Sequence, residues 1–398
     1  MRLAAMFLLL ALPVHAETAP AATISAEIGR AGLAATQARL TALATPSDAD
    51  RFARGGVTFL RAIEVTFQQR YTLGLTDRTG MLPLLRLPLN DNPHPAPIAP
   101  AAVVAIFSDA ATTLSAAQTD LMAIPATSDF SVEIALADLW FDVDNNGARD
   151  NGEGLAEILG PAVLGFDADP SAALPVVRFD VADAAWLAAY ADLLTGLCDV
   201  IRAYDPTEPL TRIVTARAAL AALGPIATDP FLGSQGGLDS IDLMAAIFAI
   251  LNQTPDAALM AEAQTRLLAM IDENRQFWTR VAAENDNDHE WLPNDQQTSA
   301  LGIEVPQGIG TVWLGMLADF EAVLKGEKLV PYWRVGGAAG VNVGRMFTDP
   351  GPIDLAGWIQ GWAALPYLES GPLISPANAR AFDNLTSGQA PLFALYLN

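Results

Sequence analysis

The chain has 398 residues, 52% apolar and 17% charged, with 45 acidic against 22 basic side chains and a net charge of −23. So acidic a surface excludes a nucleic-acid binder and repels anionic lipid, and it suits divalent cations or basic partners. A single cysteine, Cys198, excludes an internal disulfide, so stability must come from the large hydrophobic core that a chain of this length can bury.

Arg2, the apolar run Leu3 to Leu12 and the small residue Ala16 before Glu17 predict a secretory signal peptide over residues 1–16. That run is too short to span a bilayer, which needs about 20 apolar residues. Without Arg2 the mature product carries −24. Residues 17–26 read as a mobile leader. No later stretch reads as transmembrane, the densest apolar run being Leu243 to Leu251. The expected location is periplasmic or secreted.

Glu27 to Ala44 is amphipathic, and Ser47 to Asp50 reads as a capping box for a helix carrying Phe52, Phe59, Ile63 and Phe67 on one face. Met81 to Asn92 reads as extended chain and loop, and helix resumes from Ala101 to Met122. Val177 to Phe179 predicts a short strand. A helix from Asp180 or Asp183 is assigned an apolar face of Trp186, Tyr190, Leu193, Leu197, Ile201 and Tyr204, with Cys198 as a small buried side chain. Further helices are predicted at Leu210–Leu223, Ile241–Asn252, Asp256–Glu284, Thr311–Lys325, Leu355–Trp362 and Pro376–Leu385. Pro255 and Gly326 punctuate them. The expected fold is mainly α, an irregular multi-helix and possibly solenoid-like protein with a few short extended segments. The best internal boundary is Thr228 to Leu238, dividing residues 27–230 from 231–398 or lying within one continuous domain.

The strongest chemical signal is Asp142-Val143-Asp144-Asn145-Asn146-Gly147-Ala148-Arg149-Asp150-Asn151-Gly152-Glu153. Side-chain oxygens recur at its positions one, three, five, nine and twelve, with glycine at six. Calcium takes six to eight hard oxygens, which flexible carboxylates supply. Gly147 permits the positive φ that turns the chain back around an ion. These twelve residues resemble the EF-hand loop and the shorter calcium loops of secreted bacterial modules. The resemblance implies calcium held by Asp142, Asp144 and Asn146, the Ala148 carbonyl, Asp150 directly or through water, and both oxygens of Glu153. Arg149 departs from the apolar residue usual there, and Gly152 and Gly154 predict a weak or absent exiting helix, so a solitary loop is expected. The competing reading is a solvated Asp/Asn/Gly turn.

Two weaker clusters follow. Asn285 to Trp291 offers His289 and Glu290 as acid/base candidates, with Trp291 as a ligand-binding aromatic. Trp333, Arg334, Asn342 and Arg345 lie in a Gly-rich stretch suited to an anionic group. A solvated helix end and a loop of surface ion pairs are the competing readings. There is no Gly-x-Ser-x-Gly elbow, no Cys-x-x-Cys and no Walker loop. His94, between prolines, reads as an exposed loop residue. The leading expectation is an exported, calcium-binding helical binding or scaffold module. The alternatives are a hydrolase or lyase using His289 and Glu290 on a carbohydrate-like substrate, and a helical-repeat adaptor for another exported protein.

Overall fold

The computed structural model describes residues 23–75, 87–163, 173–224, 235–337 and 339–397. The predicted signal peptide, residues 17–22 of the leader, residues 81–86 and residues 228–234 of the boundary lie outside these. The fold is mainly helical and irregular, as the sequence pattern predicts.

Helix α1 (Ile24–Thr41) begins inside the expected leader, capped by the Thr23 side chain. At Gly32 the backbone leaves the helix, with φ +77° and ψ 174°. Only glycine adopts that conformation freely. Helix α2 (Asp48–Thr72) carries the predicted capping box between Ser47 and Asp50, and it buries Phe52, Phe59 and Phe67. Helix α3 (Pro100–Met122) follows. Strand β1 (Val132–Ala135) leads through a 3-10 turn at Leu136–Asp138 into the Asp/Asn-rich loop. Helix α4 (Leu155–Val163) leaves the loop at once. An exiting helix is therefore present, contrary to what Gly152 and Gly154 predict. Glu157 supplies the missing cap, its two oxygens accepting from the Gly152 and Gly154 amides at 3.1 and 2.9 Å.

Strand β2 (Val176–Phe179) pairs antiparallel with β1, Val132 opposite Phe179. Helix α5 (Val181–Ala203) starts at a second capping box, Asp180 with Asp183. Its buried face is the predicted one only in part: Tyr204 is buried, and Trp186 and Leu193 pack half-buried against a core. Leu197 and Ile201 are exposed, whereas Ala184, Ala185, Ala188, Ala189 and Ala191 are buried. Large side chains mark the face in sequence, but small ones let α5 lie close to its neighbours. A Cβ at Gly196 would stand 3.3 Å from the Ala263 carbonyl oxygen. Cys198 is buried as expected, its thiol pushed up to about 11 by burial.

Helices α6 (Thr207–Leu223) and α7 (Gln235–Leu251) follow, with Leu220, Leu223, Ile241 and Phe248 exposed. Helix α8 (Ala257–Val281) packs along α5 and buries Leu267, Ile271, Phe277, Trp278 and Val281. Helix α9 (Ile309–Leu324) is tied to it by Asn274, which accepts from the Trp313 indole at 2.9 Å and donates to the Leu397 carbonyl at 3.0 Å. Beyond it, strands β3 (Val330–Pro331), β4 (Gly340–Val341) and β5 (Leu368–Glu369) form an antiparallel sheet. Short helices α10 (Val343–Thr348), α11 (Leu355–Gln360), α12 (Ala377–Leu385) and α13 (Ala390–Leu397) complete the described chain.

Two large core clusters and two smaller ones result among the described residues. One large cluster joins α1, α2, α4, the β1–β2 pair and α5, and the other joins α5, α8, α9, α12 and α13. Helix α5 serves both. By length and composition α3 and α5 could cross a membrane. Scanning for runs of large apolar residues does not reveal this, because alanine raises mean hydropathy without forming such a run. In α5, 56% of the apolar window is buried inside the fold, against 22% in α3.

Candidate metal centre

The loop between residues 142 and 153 is closed at its neck. Trp140 and Gly154 form an antiparallel bridge, and the Phe141 amide donates to the Glu153 carbonyl at 2.9 Å. Val143, an apolar residue inside a polar run, is buried in the first core and anchors the loop from below.

The neck is also fastened to α2. Buried Glu64 accepts from the Asp142 amide at 2.9 Å, and Gln68 Nε2 donates to the Asp142 carbonyl at 2.8 Å. Glu64 and Gln68 are one helical turn apart, so both reach the backbone of the same residue. Arg61 pairs with Glu64. These α2 residues are absent from the sequence reading. The signal available was a glutamate on the buried face of an amphipathic helix, which demands a partner.

Within the loop the side chains hold the turn. Asp142 accepts from the Asn146 and Gly147 amides, each at 2.9 Å. Asn145 and Gly147 are left-handed, at φ 59° and 79°. A Cβ at Gly147 would meet nothing within 4 Å, so glycine is needed there for its conformation and not for space. Glu153 is only 1% exposed, and its two oxygens accept from the Val143 and Asp150 amides at 2.7 and 2.8 Å. Burial raises its carboxyl pKa; the two amide bonds oppose that, and the Asp144 and Asp142 charges add to it.

Asp142, Asp144 and Glu153 each place a carboxylate oxygen so that the three lie within 4.8 Å of one another. This is the one such metal-ligating group among the described residues. Asn146 Nδ2 donates to Asp144 at 3.1 Å and to Asp150 at 2.7 Å, and its Oδ1 accepts from the Ala148 amide at 2.7 Å. Asp150 thus joins the group through Asn146. Which amide atom faces which neighbour follows from that network. Arg149 folds back to the Ala137 carbonyl at 3.0 Å and leaves the rim open. The chain reaches the loop from a strand and a 3-10 turn rather than from a helix.

The other candidates lie apart from this loop. His289 is exposed, left-handed at φ 63°, and 2.9 Å from the Asp288 carboxylate. Glu290 is buried, accepts from the Asp288 amide at 2.8 Å and has its pKa raised first by burial. Burial likewise pushes Glu284 up to about 7. Arg178, which the sequence reading passes over as a strand residue, stands 3.3 Å from Asp286 and 3.7 Å from Asp288. Trp291 is half-buried and packs against Phe179, Trp186 and Tyr396. Trp333 is 64% exposed with the Arg334 guanidinium 5.6 Å above its ring. Asn342 caps α10 and donates to Glu369 at 3.0 Å, and Arg345 pairs with Asp349 and Glu369. Asn342 and Arg345 line a surface hollow of ≈ 390 Å³ with Gln264, Lys325, Asp349 and Glu369, and no residue of 285–295 contributes to it. This hollow does not join the two weaker clusters.

The chain matches no family model, no curated protein and no solved structure.

Proposed function

We propose that the Asp142–Glu153 loop is a structural calcium site in an exported helical binding or scaffold module. The observation that carries this reading is the convergence of three carboxylate oxygens, from Asp142, Asp144 and Glu153, within 4.8 Å. Three like charges so close repel one another unless a cation neutralises them. Now the Asn146 amide alone bridges Asp144 to Asp150. A hard divalent ion answers that charge better, and carboxylate, amide and carbonyl oxygens are the donors calcium prefers. Asp142, Asp144, Asn146, Asp150 and Glu153 would hold it, with the Ala148 carbonyl.

The role is structural because the loop neck is built into the core through Val143, Glu64 and Gln68. Export is supported by the Arg2, Leu3–Leu12 and Ala16 pattern and by an extracellular supply of calcium. A binding role is favoured by α6 and α7, which leave Leu220, Leu223, Ile241 and Phe248 exposed. Melting of the purified protein with calcium and with chelator tests the calcium reading. A midpoint that is the same in both, with no metal bound, refutes it.

A further inference from the structure

Asp192 on α5 and Glu273 on α8 meet in the seam between α3, α5 and α8, at 1% and 4% exposure. One oxygen of each is satisfied. Asp192 Oδ1 accepts from Arg266 at 3.1 Å, and Glu273 Oε1 accepts from Gln118 of α3 at 2.7 Å. The other oxygens, Asp192 Oδ2 and Glu273 Oε2, are buried without any donor. Yet the two carboxyl groups are neighbours, each acting on the other's titration. Ionised carboxylates only accept, so they cannot bond to each other unless one of them carries a proton.

The charges around the seam lead to the same count. On α8, Arg266 is the one cation touching the pair, and it also holds Glu262 at 2.9 Å. On α5, Asp199 is neutralised by Arg202 at 2.6 Å. The charges of α3 are Asp109 and Asp120, and they turn to α2, meeting Gln69 and Arg54. Further along α8, Asp272 and Arg275 pair with each other, Arg275 also holds Glu321, and Arg280 donates to the Val181 carbonyl. Arg266 therefore divides its charge between Asp192 and Glu262, Glu273 has Gln118 as its donor, and a proton held by the pair removes one buried charge.

We propose that Asp192 and Glu273 share one proton at neutral pH and form an alkali-sensitive lock on the packing of α3, α5 and α8. Burial first, then the Asp192 charge, push the Glu273 carboxyl up to about 8. Burial likewise raises Asp192, opposed by Arg266. A raised acid stabilises the fold fully below its unfolded value near 4.5, and that contribution is lost as pH rises through about 8. The proton comes from solvent on folding and returns to it when the lock opens.

Glu273→Gln replaces the protonated acid with a neutral group that can still donate to Asp192. Urea unfolding of the full chain and of this variant, across about pH 5 to 8, reads the difference. Relative to the variant, the native folding equilibrium is expected to fall about tenfold per pH unit, the signature of one extra bound proton. Parallel pH profiles would overturn the proposal. If the variant does not fold, the native chain decides: with glutamate carboxyl carbons labelled, NMR should show one glutamate titrating near pH 8, above Glu284 near 7. If no glutamate titrates above Glu284, the shared proton does not exist.

Discussion

The indole N–H of Trp140 donates to the Ile28 carbonyl at 2.9 Å, in the turn of α1 that precedes the break at Gly32. The break in α1 and the tryptophan beside the loop are thus one feature. A Cβ at residue 32 would stand 2.9 Å from the Trp140 ring. Trp140→Phe keeps most of the packing but leaves the Ile28 carbonyl unpaired. We expect it to cost about 1–3 kcal/mol in urea unfolding. Gly32→Ala should cost at least as much, because it adds a forbidden backbone conformation to the clash.

Calcium in excess should raise the melting midpoint of the purified chain, and chelator should lower it. If free calcium exceeds the dissociation constant about 100-fold, the gain is roughly 2.7 kcal/mol. Glu153→Gln should abolish most of the calcium-dependent part. Chelator should barely move the midpoint of that variant.

On α9, Glu321 meets Arg275 and Lys325. The Arg275 bond first, then the Lys325 bond, hold its carboxyl down to about 2. A lowered acid stabilises the fold above its unfolded value near 4.5, and that contribution is lost as pH falls through about 2. Glu321→Gln should therefore destabilise the protein at pH 7, by ~1 kcal/mol for a partly exposed pair. The difference should shrink in acid, which unfolding at pH 7 and pH 3 measures.

The alanine face of α5 sets the spacing of the helix layers. Ala189→Leu should overpack the seam and cost about 1–3 kcal/mol. Leu197→Ala, at an exposed position, should stay within about 0.5 kcal/mol. Equal effects of the two substitutions would mean that the face is assigned wrongly.

Trp333→Ala is expected to leave stability within about 0.5 kcal/mol, since the side chain is 64% exposed. A calorimetric unfolding scan checks this.

The helices were legible where residues act locally. The capping boxes at Ser47 and Asp180 and the glycine after α9 announce their helix ends in the chain itself. The loop was legible for the same reason, since its carboxylates converge within twelve residues. What sequence periodicity missed depends on neighbours. The buried face of α5 is chosen by how closely α8 approaches, and that favours alanine over leucine. Glu64 and Gln68 meet Asp142 across more than seventy positions. Trp291 was legible as an aromatic beside an acidic run, but its place between two cores depends on Phe179 and Tyr396. The exit helix α4 was hidden because its cap, Glu157, reaches back to amides that precede it.

The loop neck, held to α2 at Asp142 and bridged from Trp140 to Gly154, has a bearing on ion choice. A loop free at one end can shrink around whatever cation arrives. A loop whose two ends are already set by the core has a nearly fixed diameter. As the proposed ion site it would discriminate by ionic radius, because a smaller ion such as magnesium would need ligands at about 2.0–2.1 Å rather than 2.3–2.6 Å. For the calcium site we propose, chain ordering would be complete before the ion arrives, and selectivity would come from the helix packing beneath the loop.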